Sequence, residues 1–166
     1  MACVEGVVRP EQVEAGTARA DRRRALTPVM GDAKPPLVAT LDWSGELRFD
    51  AESGANTAVV DGDSRTGPSP TQHAAFGLAG CMAADIVDII RKGRHPLRAL
   101  RVTFTGERAE NPPRRFVRIA LRFQLEGAVP SEAVERAIAL SREKYCSVWH
   151  SLRQDIELTT TFDIHP

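Results

Sequence analysis

The segment at residues 67–93, GPSPTQHAAFGLAGCMAADIVDIIRKG, predicts one long helix with well-marked ends. Ser69 is placed to cap its N-terminus, Pro70 suits the first helical position, and Gln72 completes a capping box. The final glycine stands where the chain should leave the helix. Because residues 74–84 are all apolar or small, this helix has no polar face there, and we expect it to be buried on most sides.

Three short segments before this helix predict a small antiparallel meander. Residues 37–43, 45–50 and 56–60 are rich in β-forming side chains and are separated by Ser-Gly and Ser-Gly-Ala turns. Residues 61–70, DGDSRTGPSP, then form a loop that leads to the helix.

The remainder of the chain predicts two more strands, a second long helix and a last strand. Residues 99–105 and 116–126 alternate apolar and polar side chains, so each strand has one wet face. A helix over 131–152 is followed by a strand over 156–164. The order predicts an α+β fold in which antiparallel sheets pack around two long central helices.

The N-terminal segment differs from the rest in composition. Residues 1–35 contain few large apolar side chains and a run of three arginines, and we interpret them as a flexible tail. Three arginines with no aromatic residue among them favour a solvated tail over a nucleic-acid-binding arm. Residues 36–166 are then one folded domain.

Composition limits the partners and the location. The chain has 166 residues, of which 42% are hydrophobic and 27% charged, and its 22 basic residues balance its 22 acidic ones. Since the basic residues are scattered, neither nucleic acid nor a membrane surface is expected as a partner. We find neither a leader segment nor an uncharged apolar run of about 18 residues that could span a membrane, so we expect a soluble, cytoplasmic protein.

The three cysteines offer two alternatives. Cys3, Cys81 and Cys146 lack the spacing of a disulfide scaffold or a zinc site, so we expect no metal and no cofactor. Cys3 lies in the predicted tail and we regard it as incidental. Cys81 and Cys146 are either buried thiols that act as small hydrophobic side chains, or a reactive pair.

The reactive alternative has requirements that the sequence does not meet by itself. Cys81 lies about three turns into its helix, beyond the reach of the N-terminal dipole, so a cation must come from elsewhere in the fold. Asp85, one turn further on, would oppose ionisation of the thiol. A disulfide with Cys146 also requires the two Cα atoms to come within about 7 Å.

Three segments together resemble a known family. GPSPTQHAAFGLAGCMAADIVDIIRKGR, GERAENPPRRF and AIALSREKYCSVWHSL are similar to the OsmC/Ohr family, and especially to its YhfA-like branch, over roughly residues 37–164. The resemblance implies an intertwined homodimer in which the two cysteines lie close together near the interface. It also implies reduction of organic hydroperoxides with electrons from a dithiol.

The resemblance assigns roles to particular residues. Cys81 would be the peroxidatic thiol and Cys146 the resolving one, and the arginine that supports the thiolate would come from the early strands, where Arg48 is the first candidate and Arg65 the alternative. The hydroperoxide-resistance branch has a glutamate just after the helix-initiating proline, to orient that arginine, but this chain has Thr71 there. Activation of Cys81 is therefore weaker than in that branch, or achieved differently.

Two functions follow as hypotheses. The first is a thiol peroxidase that reduces organic or lipid hydroperoxides through a Cys81–Cys146 disulfide. The second is a non-catalytic dimeric stress-response protein or apolar-ligand binder that keeps the fold without useful turnover, and Thr71 is the feature that favours it.

Overall fold

The computed structural model describes residues 34–165, which form the predicted α+β fold, and its six strands make two three-stranded sheets. The predicted tail, residues 1–35, lies almost entirely outside the described residues. The elements in chain order are β1 (Thr40–Gly45), β2 (Arg48–Ser53), β3 (Asn56–Asp61), α1 (Pro70–Lys92), β4 (Leu97–Arg108), β5 (Phe116–Gly127), α2 (Ser131–Leu140), a π-helical turn (Ser141–Tyr145), α3 (Ser147–Ser151) and β6 (Glu157–His165).

The first sheet is the predicted antiparallel meander, with strand order β1-β2-β3. Its first two strands begin about three residues later than the sequence indicated. The later start of β2 follows from the position of the first turn, because Gly45 and Glu46 both adopt positive φ angles, of 122° and 46°. A left-handed backbone interrupts the strand there, so β2 starts only at Arg48.

Helix α1 begins and ends as its sequence predicts. The backbone N–H of Gln72 donates to the Ser69 hydroxyl at 3.3 Å, and the backbone N–H of Ser69 donates to the Gln72 side-chain oxygen at 2.7 Å. Pro70 is the first helical residue and Gly93 the C-cap. These contacts satisfy N–H groups that would otherwise lack partners in the first turn.

In the part of a single chain that the structure describes, only one face of α1 is buried. Leu78, Met82, Ile86 and Ile90 are at most 1% exposed, whereas Phe76 remains 59% exposed. The prediction that residues 74–84 are buried on most sides is therefore not met within one chain, because the sheet covers a single stripe of the helix. This leaves an open face of small side chains around Phe76.

The length and composition of α1 also satisfy the criteria for a membrane-crossing helix, with a mean hydropathy of 1.5 over its most apolar window. These criteria allow up to two charged residues, and every 18-residue window of α1 contains Asp85, so the expectation that the chain has no uncharged apolar run of that length is not contradicted. The core helix of a soluble protein satisfies the same criteria, and the buried stripe of α1 belongs to the same core as the second sheet.

The second sheet has the strand order β4-β5-β6, with β5 in the middle. The pair β4/β5 is antiparallel, as expected, but β5 and β6 are parallel, which corrects the prediction of antiparallel sheets. The connection between β5 and β6 carries α2 and α3 across the sheet and returns the chain in the same direction, which is what parallel pairing requires. The inward side chains of β5 form the centre of the core with α1: Ile119, Leu121, Phe123 and Leu125.

The predicted helix over 131–152 is interrupted. It consists of α2, the π-helical turn and the short α3, and the chain is extended at Cys146, with φ −69° and ψ 92°. The Cys146 N–H donates to the carbonyl of Ser141, five residues back, at 2.8 Å. The wide turn therefore ends the first helical segment and places Cys146 at the start of the next one.

Asp61 organises the loop that leads into α1. Its side chain is nearly buried, 4% exposed, and its carboxylate accepts hydrogen bonds from the backbone N–H groups of Asp63, Arg65 and Thr66 and from the Thr66 hydroxyl, at 2.8–3.0 Å. These donors, with the Thr66 N–H contributing most, lower the pKa of Asp61 to about 2. The carboxylate therefore stays ionised down to strongly acidic pH.

We expect Asp61→Asn to lower the melting temperature by a few degrees at neutral pH, because the amide replaces a charged acceptor of several donors. A carboxyl group with a lowered folded-state pKa stabilises the fold above its unfolded pKa of about 4, and that contribution disappears as the pH falls toward about 2. Melting curves across this range should therefore converge for wild type and variant. A difference in melting temperature that is equal at every pH would contradict this role of the Asp61 carboxylate. The control is Asp63→Asn, because Asp63 donates to Asp61 through its backbone N–H and not through its side chain.

Candidate functional site

The two cysteines of the folded domain meet beside one carboxylate. The sulfur atoms of Cys81 and Cys146 and a carboxylate oxygen of Asp85 all lie within 4.8 Å of one another. Both thiols are free. Cys81 and Asp85 lie one turn apart on the same face of α1, and Cys146 approaches from the break before α3.

The two thiols differ in accessibility. Cys146 has no exposed surface, whereas Cys81 is half-buried. A peroxide or a reductant approaching from solvent therefore reaches Cys81 more readily. The arrangement suits a pair in which the accessible thiol reacts first and the buried thiol reacts with it afterwards.

The surroundings of Cys146 keep it protonated at neutral pH. Burial raises the pKa of this thiol to about 11, against the opposing effect of the Trp149 N–H, which donates to the sulfur at 3.3 Å. The neighbouring Cys81 thiol and the Asp85 carboxylate raise the pKa further. Cys146 therefore enters any reaction as a thiol whose proton must be removed.

A buried serine fixes Asp85. Ser141 has no exposed surface, and its hydroxyl donates to Asp85 Oδ2 at 2.7 Å. The sequence indicated Asp85 only as a charge that opposes ionisation of Cys81, and nothing in it pointed to Ser141 as a partner of that carboxylate. The available signal was the four-residue spacing of Cys81 and Asp85, which puts both on one helical face.

The two predicted arginines, Arg48 and Arg65, contact carboxylates and not the thiols in the described part of the chain. Arg48, on β2, donates to Asp50 at 3.0 Å, and its Nε atom is buried and has no hydrogen-bond partner within residues 34–165. Arg65 is 70% exposed and lies 3.6 Å from a carboxylate oxygen of Glu46. No contact between either guanidinium and a thiol occurs in the described part of the chain.

His73 and Trp149 have structural roles. His73 forms a hydrogen bond through Nε2 to the carbonyl of Val59 at 2.8 Å and so ties α1 to β3. Trp149 is buried in the core.

An open groove of about 700 Å³ runs between α1 and β4. Neither cysteine lines it, but Thr71, the residue at the glutamate position, does. Arg101 and Arg108 contribute polar groups to it, and the apolar lining residues are Ala75, Phe76, Ala79, Val102, Phe104 and Phe116.

Comparison with known proteins identifies the family. Residues 61–161 match the family described as OsmC-like protein. The protein YhfA of Escherichia coli K12 is 36% identical over 131 residues, which cover 77% of this chain and 98% of YhfA.

Solved structures show the same fold at low sequence identity. An OsmC-like protein from Mycoplasma pneumoniae aligns with a TM-score of 0.68 at 17% identity, over 82% of this chain and 100% of that one. An organic hydroperoxide resistance protein from Elizabethkingia anophelis aligns with a TM-score of 0.61 at 17% identity, over 81% and 100%. The family match over residues 61–161 and the similarity to YhfA over most of the chain agree with each other. The chain therefore belongs to the OsmC-like family.

Proposed function

We propose that this protein is a thiol peroxidase that reduces organic and lipid hydroperoxides through a disulfide cycle between Cys81 and Cys146. The observation that carries the proposal is the meeting of a half-buried and a fully buried free thiol within 4.8 Å. Fold relatives named as organic hydroperoxide resistance proteins support the choice of substrate.

In the first step, the Cys81 thiolate attacks the peroxide. An S–O bond forms as the O–O bond breaks, and the alkoxide leaves as an alcohol after taking a proton from solvent. Cys81 is then a sulfenic acid. The greater exposure of Cys81 is the reason to assign this step to it rather than to Cys146.

In the second step, Cys146 resolves the sulfenic acid. Its sulfur forms the disulfide bond as the S–O bond of Cys81 breaks, and the departing hydroxide leaves as water with the proton of the Cys146 thiol. An external dithiol then reduces the disulfide by thiol exchange and restores both thiols.

We assign stabilisation of the Cys81 thiolate to Arg48, with Arg65 as the alternative. The unpartnered Nε of Arg48 supports this order, because the guanidinium keeps a donor free for a further acceptor. Its present partner, Asp50, lies at the strand surface with half of its side chain exposed. Breaking such an exposed ion pair costs little free energy, so Arg48 can move to another acceptor.

We also propose that the protein is a cytoplasmic homodimer. The open face of α1 around Phe76 supports a second copy as a partner, since single chains rarely leave a contiguous apolar helix face uncovered. Further large apolar side chains of β1 and of the turn after it are exposed as well: Leu41, Trp43 and Leu47.

The apolar groove favours a second candidate function. A non-catalytic member of the family would use the groove between α1 and β4 to bind an apolar ligand, and its lining by three phenylalanines suits such a ligand. The two functions differ in whether peroxide is consumed.

The test is peroxide consumption by the full chain carrying Cys3→Ser. The reduced protein mixed with cumene hydroperoxide is expected to consume one equivalent per chain and to yield a Cys81–Cys146 link in a non-reducing digest by mass spectrometry. Addition of dihydrolipoamide should then give repeated turnover, which Arg48→Ala should slow more than Arg65→Ala. Peroxide loss no faster than in buffer would exclude the peroxidase and leave the binding function.

A further inference from the structure

We propose that Cys81, Asp85 and Cys146 also form a binding site for one thiophilic divalent cation of the Zn²⁺ class, with a water molecule as the fourth ligand. This site is independent of the peroxidase proposal, because it requires the positions of the three side chains and no peroxide chemistry.

The spacing of the three groups is that of a small metal site. Two ligands four residues apart on one helix face, joined by a third from another element, can surround a single ion. With bond lengths of about 2.3 Å to sulfur and 2.1 Å to oxygen, ligand atoms of a tetrahedral site stand roughly 3.5 to 3.8 Å apart. Since the three atoms already lie within 4.8 Å of one another, closing around an ion requires shifts of about 1 Å or less.

The neighbours of the three ligands already orient two of them. The Ser141 hydroxyl holds Asp85 Oδ2 at 2.7 Å, so the carboxylate is fixed while its second oxygen is left for an ion. The Trp149 N–H points at the sulfur of Cys146 at 3.3 Å. Hydrogen bonds of this kind to ligand atoms are a regular part of protein metal sites.

The charge of the site also suits a cation. Asp85 forms no ion pair with any lysine, arginine or histidine among the described residues, and its side chain accepts a hydrogen bond from the neutral Ser141 hydroxyl. Two sulfurs and one carboxylate are ligands that Zn²⁺ and Cd²⁺ accept, whereas Mg²⁺ and Ca²⁺ require oxygen ligands. Binding displaces one proton from each thiol and leaves the oxidation state of every group unchanged.

The site and the disulfide exclude each other. In the disulfide both sulfurs have lost the thiolate that binds a metal, so oxidation should release the ion, and a bound ion should block reaction of Cys81 with an oxidant.

The experiment titrates the reduced full chain carrying Cys3→Ser with Zn²⁺ by calorimetry, and with Cd²⁺ by the ultraviolet thiolate-to-metal absorption. We expect one ion per chain, loss of the cadmium absorption in the Cys81→Ser and Cys146→Ser variants, and binding weakened by about 10- to 100-fold in Asp85→Asn and Ser141→Ala. The disulfide form should bind neither ion.

Asp88→Asn is the matched control, because Asp88 lies on the same helix but is exposed and paired with Lys92 at 2.7 Å. Its affinity should equal that of the parent. The site would be overturned if the reduced parent showed no saturable Zn²⁺ binding. It would also be overturned if the cadmium absorption survived in the variant that carries both Cys81→Ser and Cys146→Ser. Circular dichroism of each variant separates lost binding from lost folding, and Ser141→Ala tests the site even where Asp85→Asn does not fold.

Discussion

Replacing Cys81 with serine is expected to reduce hydroperoxide turnover at least about a thousandfold, to the uncatalysed rate, because a serine hydroxyl at neutral pH is not a nucleophile toward a peroxide. Replacing Cys146 should produce a different loss. Without dithiol, Cys146→Ser retains the accessible Cys81 and should still consume one equivalent of cumene hydroperoxide. It should then stop as a sulfenic acid, since its partner sulfur is missing.

Dimedone labelling followed by mass spectrometry distinguishes the two variants. Cys146→Ser should carry the label on Cys81, whereas Cys81→Ser should carry none. Both variants belong in the Cys3→Ser background, so that the third thiol cannot substitute for a missing one. Labelling of Cys146 in the Cys81→Ser variant, with retained turnover, would reverse the assigned roles.

The second large effect concerns the core. Phe123 has no exposed surface, is the largest fully buried side chain of the described residues, and lies on the central strand of its sheet. Its register places it between Val102 of β4 and Phe162 of β6. We expect Phe123→Ala to lower the free energy of unfolding by about 3–5 kcal/mol, because close-packed neighbours cannot fill the space left by the ring.

Urea unfolding at a fixed protomer concentration measures this loss, with the concentration held constant because assembly contributes to apparent stability. Arg122→Ala is the control on the neighbouring residue. Its guanidinium faces solvent, 58% exposed, and pairs with Asp163 at 2.7 Å, so its removal should cost about 1 kcal/mol or less. Equal losses in the two variants would contradict the assignment of Phe123 to the centre of the core.

The ends of α1 could be predicted because their causes are local. Ser69, Pro70, Gln72 and Gly93 each act within one turn of the helix, so their spacing in the sequence is their spacing in space. The strands were found by alternation of side chains, which is also local. Where a turn required an unusual backbone, as at Glu46, the predicted start of the next strand was misplaced.

The break in the second helix was missed because no proline or glycine marks it. Residues 141–152 contain neither, and the wide turn is made by the Cys146 N–H reaching the Ser141 carbonyl. The side chain of Ser141 is meanwhile bonded to Asp85 of α1, a contact between distant parts of the chain. Parallel pairing of β5 and β6 was missed for a similar reason, since strand direction depends on how the intervening helices cross the sheet.

Local sequence was enough to predict the order of helices and strands, the caps of α1 and, through motifs, the family. Packing brings Cys81, Asp85 and Cys146 together, leaves one thiol more accessible than the other, and bonds Ser141 to the carboxylate. The two groups of features differ in the range of the interactions that create them. Capping and alternation act between near neighbours in the chain, whereas the thiol site is created by packing α1 against an interrupted helix whose break the local sequence does not specify.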